Sequence, residues 1–155
     1  MAQPSEIYVR PLDNDTNGDG SIGDPYGDLE DAIKKTTFDT TNGTRVNIMD
    51  GATETLVAEL SAAMADTGTT AAWTPAEARP CIFQGMTAAG SAGDRGIGII
   101  SGGGSVSVYD DAAFDYIAFI DLHCHNTGSV YVIRADQRIA VIRCEIDNTS
   151  GGGIL

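Results

Sequence analysis

Asp121, His123 and His125 alternate with Leu122 and Cys124, and Arg143, Glu145 and Asp147 alternate with Cys144 and Ile146 in the same way 22 residues later. Alternation puts the polar members of each set on one face of an extended strand. If the two segments stack, Arg143 lies beside Asp121, Glu145 beside His123 and Asp147 beside His125. Two imidazoles and several carboxylates in one patch are competent ligands for a divalent metal, and an imidazole beside a carboxylate is the pairing general acid/base catalysis uses. The same residues also meet a plainer need. A solvated sheet face carries polar residues in any case, and complementary charges across strands contribute about 0.2–1 kcal/mol per pair. We favour the plainer role from sequence and retain these six residues as candidate binding residues.

A second constellation is DTNGDG, in which Asp15, Asn17, Asp19 and Gly20 match the opening of a calcium loop, with Ile22 at its usual apolar position. The twelfth position of such a loop requires a bidentate carboxylate, and here it is Tyr26. The expectation is a structural turn, with calcium the cation that Asp15, Asn17 and Asp19 would take if any is bound. No other cofactor is expected.

Elimination from an acidic sugar needs a base and a cation to neutralise the uronate. The only lysines are Lys34 and Lys35, outside the repeating part of the chain. Hydrolysis of a glycosidic bond needs two carboxylates facing across a groove. Asp110 and Asp111 are adjacent in sequence, which suggests a turn instead. GSAGDRGIG and SGGGS lack the Lys-Ser/Thr of a phosphate-binding loop. No catalytic residue is assigned.

The elements that must position these groups follow from an internal repeat. YIAFIDLHCHNTGSVYVI, from Tyr116 to Ile133, aligns without gaps on RIAVIRCEIDNTSGGGIL, from Arg138 to Leu155. Ile117 falls on Ile139, Asn126 on Asn148 and Ile133 on Leu155. A repeat in the twenties between short β-type runs is the signature of stacked solenoid coils, each burying its apolar face against its neighbours. The aligned asparagines would form a turn ladder, their side chains about 4.8 Å apart along the axis.

Earlier in the chain, Ile7–Val9 reads as a strand, and Asp28 caps a short helix in which Leu29, Ala32 and Ile33 share one face. RVNIMDG and CIFQG read as strands. Thr53 to Ala65 has helical spacing, and the segment from Asp66 to Arg79, with Trp73, reads as a loop insertion. Three to four coils are expected, with VSVY, IAFIDLHCHN and VYVI as strands.

A chain of 155 residues with 42% hydrophobic content, 19 glycines and 6% aromatics suits one domain rich in tight turns. The formal charge of −13 argues against nucleic acid and anionic membranes as partners. No apolar run reaches membrane-spanning length, and MAQPSEIYVR lacks the features of a signal peptide, so neither membrane insertion nor export by that route is expected. Three cysteines, Cys81, Cys124 and Cys144, leave at least one without an intrachain partner and are expected to be free thiols.

The series IYVRPLDNDTNGDGSIGDPYGDLEDAI, then RVNIMDG, then RPCIFQGMT with GDRG, resembles the N-terminal region of right-handed parallel β-helix proteins of the pectate-lyase-like superfamily. The resemblance implies an all-β, right-handed parallel β-helix with a short N-terminal capping helix. We expect a single domain over 1–155, residues 1–45 forming the strand, turn and cap and 46–155 the coils, which continue further or are covered by a partner. Lyases, hydrolases, epimerases and bacteriophage tail spikes and fibres share this architecture, so fold alone does not select a function. The expected role is a virion structural or adhesion component that assembles as a homo-oligomer or larger complex and meets a polysaccharide surface. A carbohydrate-active enzyme of the lyase type and a cell-surface solenoid interaction module are the alternatives.

Overall fold

The computed structural model describes residues 3–11, 18–50, 52–66, 70–91, 94–111, 114–135, 138–150 and 154. Its elements run in the order β1 (Ser5–Val9), α1 (Leu29–Lys35), β2 (Thr44–Met49), β3 (Thr53–Thr55), α2 (Leu60–Ala65), β4 (Cys81–Met86), β5 (Gly98–Ser101), β6 (Tyr109–Asp111), β7 (Ile117–Ile120), β8 (Leu122–Asn126), β9 (Ile133–Ala135), β10 (Ile139–Ile142) and β11 (Glu145–Asn148). Every named strand pair is parallel. The first sheet has the order β1-β2-β4-β7-β10, the second β11-β8-β5-β3 and the third β6-β9. The chain visits the sheets in rotation, so it winds as a parallel β-helix. Five strands in the first sheet make four successive turns, within the three to four coils expected, and insertions lengthen the early ones.

The repeat holds where it matters. Ile117 pairs with Ile139 and Asn126 with Asn148. It slips near its end, where Ile133 bridges to Ile154, one position short of the 22-residue offset. The slip falls where the two segments diverge most, three glycines in one replacing Ser129, Val130 and Tyr131 in the other. Two strands also begin later than the apolar runs suggest. Val108 and Val132 are buried ahead of β6 and β9, and Asp110 and Asp111 lie in β6, not in a turn.

Inside the first sheet, Ile7, Val46, Phe83, Phe119 and Val141 stack one above another. Phe83 and Phe119 are fully buried, their ring centroids 5.4 Å apart and nearly parallel. Such an offset stack adds to the burial of two large apolar side chains. At Gly85 a Cβ would run into the Asp121 carbonyl oxygen of the next coil, so this position must lack a side chain.

Asn126 and Asn148 do more than stack. Each donates Nδ2 to a turn carbonyl of the preceding coil, Asn126 to Val106 and Asn148 to Val130, both at 2.5 Å. Each also accepts through Oδ1 from the main chain two residues ahead, Gly128 N at 2.6 Å and Ser150 N at 2.9 Å. The expected ladder therefore fastens each turn to the backbone of the coil before it, satisfying main-chain groups no strand ladder reaches.

Asp28 caps α1 by accepting from Asp31 N at 2.7 Å, with acidic residues in the first turn and both lysines in the last. Leu29, Ala32 and Ile33 are fully buried in the core. Glu30 Oε1 accepts from Val57 N at 2.6 Å and Ala58 N at 2.8 Å, tying α1 to the link between β3 and α2. In turn α2 lies against the edge of the third sheet, where Leu60 N donates to Val108 O and Ser61 Oγ to Asp110 O. The two helices thus occupy places where strands would begin the third sheet. Trp73 belongs to the same cap: it is fully buried against Phe38 and donates Nε1 to Thr36 O at 3.2 Å. The described part of the segment around it is a loop, as expected, that sends this one side chain into the core.

Candidate functional site

The six candidate residues come together on the outer face of the last two coils, with one rearrangement. Asp121 and Arg143 are not strand residues. Both sit at the corner leading into the second sheet, with φ of 54° and 52°. That conformation is strained for a residue with a Cβ, and Asp tolerates it better than most. The IAFIDLHCHN run is therefore two strands joined at this corner. Across the coils Arg143 forks onto Asp121, Nε to Oδ1 at 2.6 Å and Nη2 to Oδ2 at 2.7 Å. This guanidinium holds the Asp121 carboxyl below its ordinary value.

Beyond the corner the strand alternates as expected. Leu122 and Cys124 point into the core with no exposed surface, while His123 and His125 point outward, their rings 5.5 Å apart. Register places Glu145 opposite His123 and Asp147 opposite His125. The hydrogen bond, however, runs diagonally: Asp147 Oδ2 meets His123 Nε2 at 2.5 Å. A strand's diagonal neighbours lie within reach of long side chains, which sequence register alone does not resolve. His125 Nδ1 is buried without a hydrogen-bond partner among the described residues.

Ligand atoms of His123, Glu145 and Asp147 lie within 4.8 Å of one another. A nitrogen and two carboxylates on neighbouring strands can meet a divalent cation from one side, and the Asp147–His123 pair can orient an imidazole as a base. The outward column ends there, since the preceding coil places Ile99 under His123 and Ser101 under His125.

Asp15 and Asn17 lie outside the described residues. Asp19 Oδ1 accepts from Ser21 N at 2.8 Å, hydrogen bonding by the Ser21 side chain and then by its backbone lowers the Asp19 pKa, and Asp19 N and Gly20 N both donate to Asp24 O. Tyr26, at the position a calcium loop reserves for a carboxylate, is buried and bridges to Val9. The described part of DTNGDG is a turn that seats Tyr26. Cys81, Cys124 and Cys144 are free thiols, and burial pushes all three pKa values upward, away from nucleophilic character.

One polar site escaped the sequence reading: a cleft on the outer face of the first sheet around Arg45, Asn47 and Gln84. RVNIMDG announces a strand, but nothing in it says what its outward residues meet.

The ladders and the corner define a parallel β-helix with a charged outer face. Comparison with known protein families, curated proteins and solved structures finds no match. No described helix is long and apolar enough to cross a membrane.

Proposed function

We propose that the chain is a structural or adhesion component of a virus particle, a tail spike, fibre or capsid-attached β-helix, acting by assembly and surface presentation. The observation that supports this reading is the contrast between the two ends of the core. At the β1 end α1, α2 and Trp73 cover the apolar interior. At the other, β10 and β11 have no described strand on their outer side. Ile139, Val141 and Ile146 are only partly buried there, and Ile142 is 41% exposed. Strand edges and part-exposed apolar rows invite association, and either a further coil or a neighbouring copy of the chain would cover them.

The winding of the chain also fits the finer placing in the pectate-lyase-like superfamily, where viral spikes and fibres share the architecture with polysaccharide-active enzymes. With a net charge of −13, a neutral or cation-bridged polysaccharide is the surface such a component would meet.

Sedimentation velocity over a wide concentration range tests assembly: oligomers are expected, and Ile142→Glu should weaken them. An antibody against the chain should label purified virus particles. A monomer at every concentration, or particles that never carry the label, overturns the proposal. So does turnover of a uronate-containing polysaccharide that disappears on replacing His123, His125 or Arg143.

A further inference from the structure

The outer face of the first sheet carries a cavity of about 150 Å³ bounded by Glu6, Arg45, Asn47, Gln84 and Met86, with Asp94 and Arg95 at its rim. Register explains the gathering: Glu6 pairs with Arg45, and Tyr8, Asn47 and Gln84 lie across three successive strands. Tyr8, Met49 and Met86 form a small apolar cluster beside it, which shields this part of the face from water.

The cleft lacks acceptors for two of its donors. Both Glu6 oxygens are engaged, Oε2 by Tyr8 OH at 2.7 Å and Oε1 by Arg45 Nη1 at 3.1 Å. Asp94 Oδ2 lies 3.4 Å from Thr87 Oγ1. Two buried donors beside the cavity are left over. Arg45 Nε and Asn47 Nδ2 are both buried with no hydrogen-bond partner among the described residues, and Asn47 is only 4% exposed. A buried donor without an acceptor is destabilising, and here two stand at alternate positions of one strand beside one cavity.

We propose that this cleft binds a small carboxylate-bearing ligand. A carboxylate supplies acceptor oxygens and nothing to donate, which matches the surplus of Arg45 Nε and Asn47 Nδ2. Arg95 at the rim adds positive charge where a −13 protein would otherwise repel an anion. A guanidinium and an amide held two residues apart on one strand of a rigid sheet need no rearrangement to receive it. The carboxylate could belong to a simple organic acid or to an acidic sugar. The site lies on the side of the solenoid and does not depend on the assembly reading.

The test follows the side-chain amide signals of Asn47 and the Nε–H signals of the arginines by NMR at constant ionic strength. Acetate and D-glucuronate are the probes, and D-glucose is the neutral control. Saturable shifts of Asn47 and Arg45 with either acid, and none with glucose, are expected. Equal affinity for both acids marks a simple acid, and tighter glucuronate binding marks an acidic sugar. Asn47→Asp, which turns the donor into an acceptor, should weaken binding at least tenfold. Arg95→Gln, on the exposed rim, should weaken it severalfold without disturbing the fold. The proposal falls if neither acid gives a saturable shift, if glucose shifts the same signals equally, or if Arg95→Gln binds as the parent does.

Discussion

Asp121 and Arg143 occupy equivalent corners of consecutive coils, both in the left-handed backbone region, and are joined by two hydrogen bonds of 2.6 and 2.7 Å. The neighbouring corner repeats the device in different chemistry. Tyr116 and Arg138 also have positive φ, and the Arg138 guanidinium lies 5.1 Å from the Tyr116 ring centre. At each corner a backbone conformation that disfavours side chains is offset by a contact between them.

Replacing Asp121 by Asn keeps a residue that tolerates the corner and removes the charge pair. We expect a lower Tm for Asp121→Asn, a similar drop for Arg143→Gln, and little further loss in the double variant. Additive losses in this cycle would show the pair to be energetically uncoupled.

Ile33→Asp places a charge in the fully buried layer between α1 and the core. The expected loss is several kcal/mol, enough to leave much of the chain unfolded, as urea denaturation would report. Melting within a degree or two of the parent would mean the helix does not close the core.

Phe119→Ala removes one ring of the interior stack and leaves a cavity against Phe83 and Tyr109. A destabilisation of about 3–5 kcal/mol is expected from chemical denaturation.

Glu54 faces inward on β3, opposite Ile100. Burial first, then the nearby Asp28, pushes its carboxyl from an ordinary 4.5 up to about 8, against the lowering influence of a hydrogen bond from the Leu29 backbone. The folded chain therefore holds a proton that the unfolded chain releases, and stability should fall as pH rises from about 4.5 to 8. The lowered carboxyl of Asp121 acts in the opposite sense, below its ordinary 3.8, outside that window. Glu54→Gln should flatten the slope, which denaturation midpoints across this pH range would reveal; an unchanged slope would place the titrating group elsewhere.

Much of this fold was legible because solenoid coils write their register into the sequence. Ile117 over Ile139 and Asn126 over Asn148 needed only an alignment of the chain with itself, and the outer-face cluster followed from the same offset. What stayed hidden had local or long-range causes. The corner at Asp121 looks extended because Asp is ordinary in a polar alternation, and only stacking on Arg143 reveals its φ. The diagonal bond from Asp147 to His123 depends on side-chain reach. The cleft at Asn47 depends on strands from three coils whose insertions differ in length, so no constant period exposes it.

Coil length carries a last consequence. In the first sheet Ser5 pairs with Thr44, Thr44 with Cys81, Cys81 with Ile117 and Ile117 with Ile139, so the turns of the solenoid shorten from 39 to 37, 36 and 22 residues. Each strand of this sheet after the first finds its partner among residues already synthesised, and loop closure becomes easier as the chain lengthens. A ribosome delivers these strands in order, each on a shorter loop than the one before, to wind onto the coils already made. Folding can thus keep pace with translation, in an order set by the spacing of the strands.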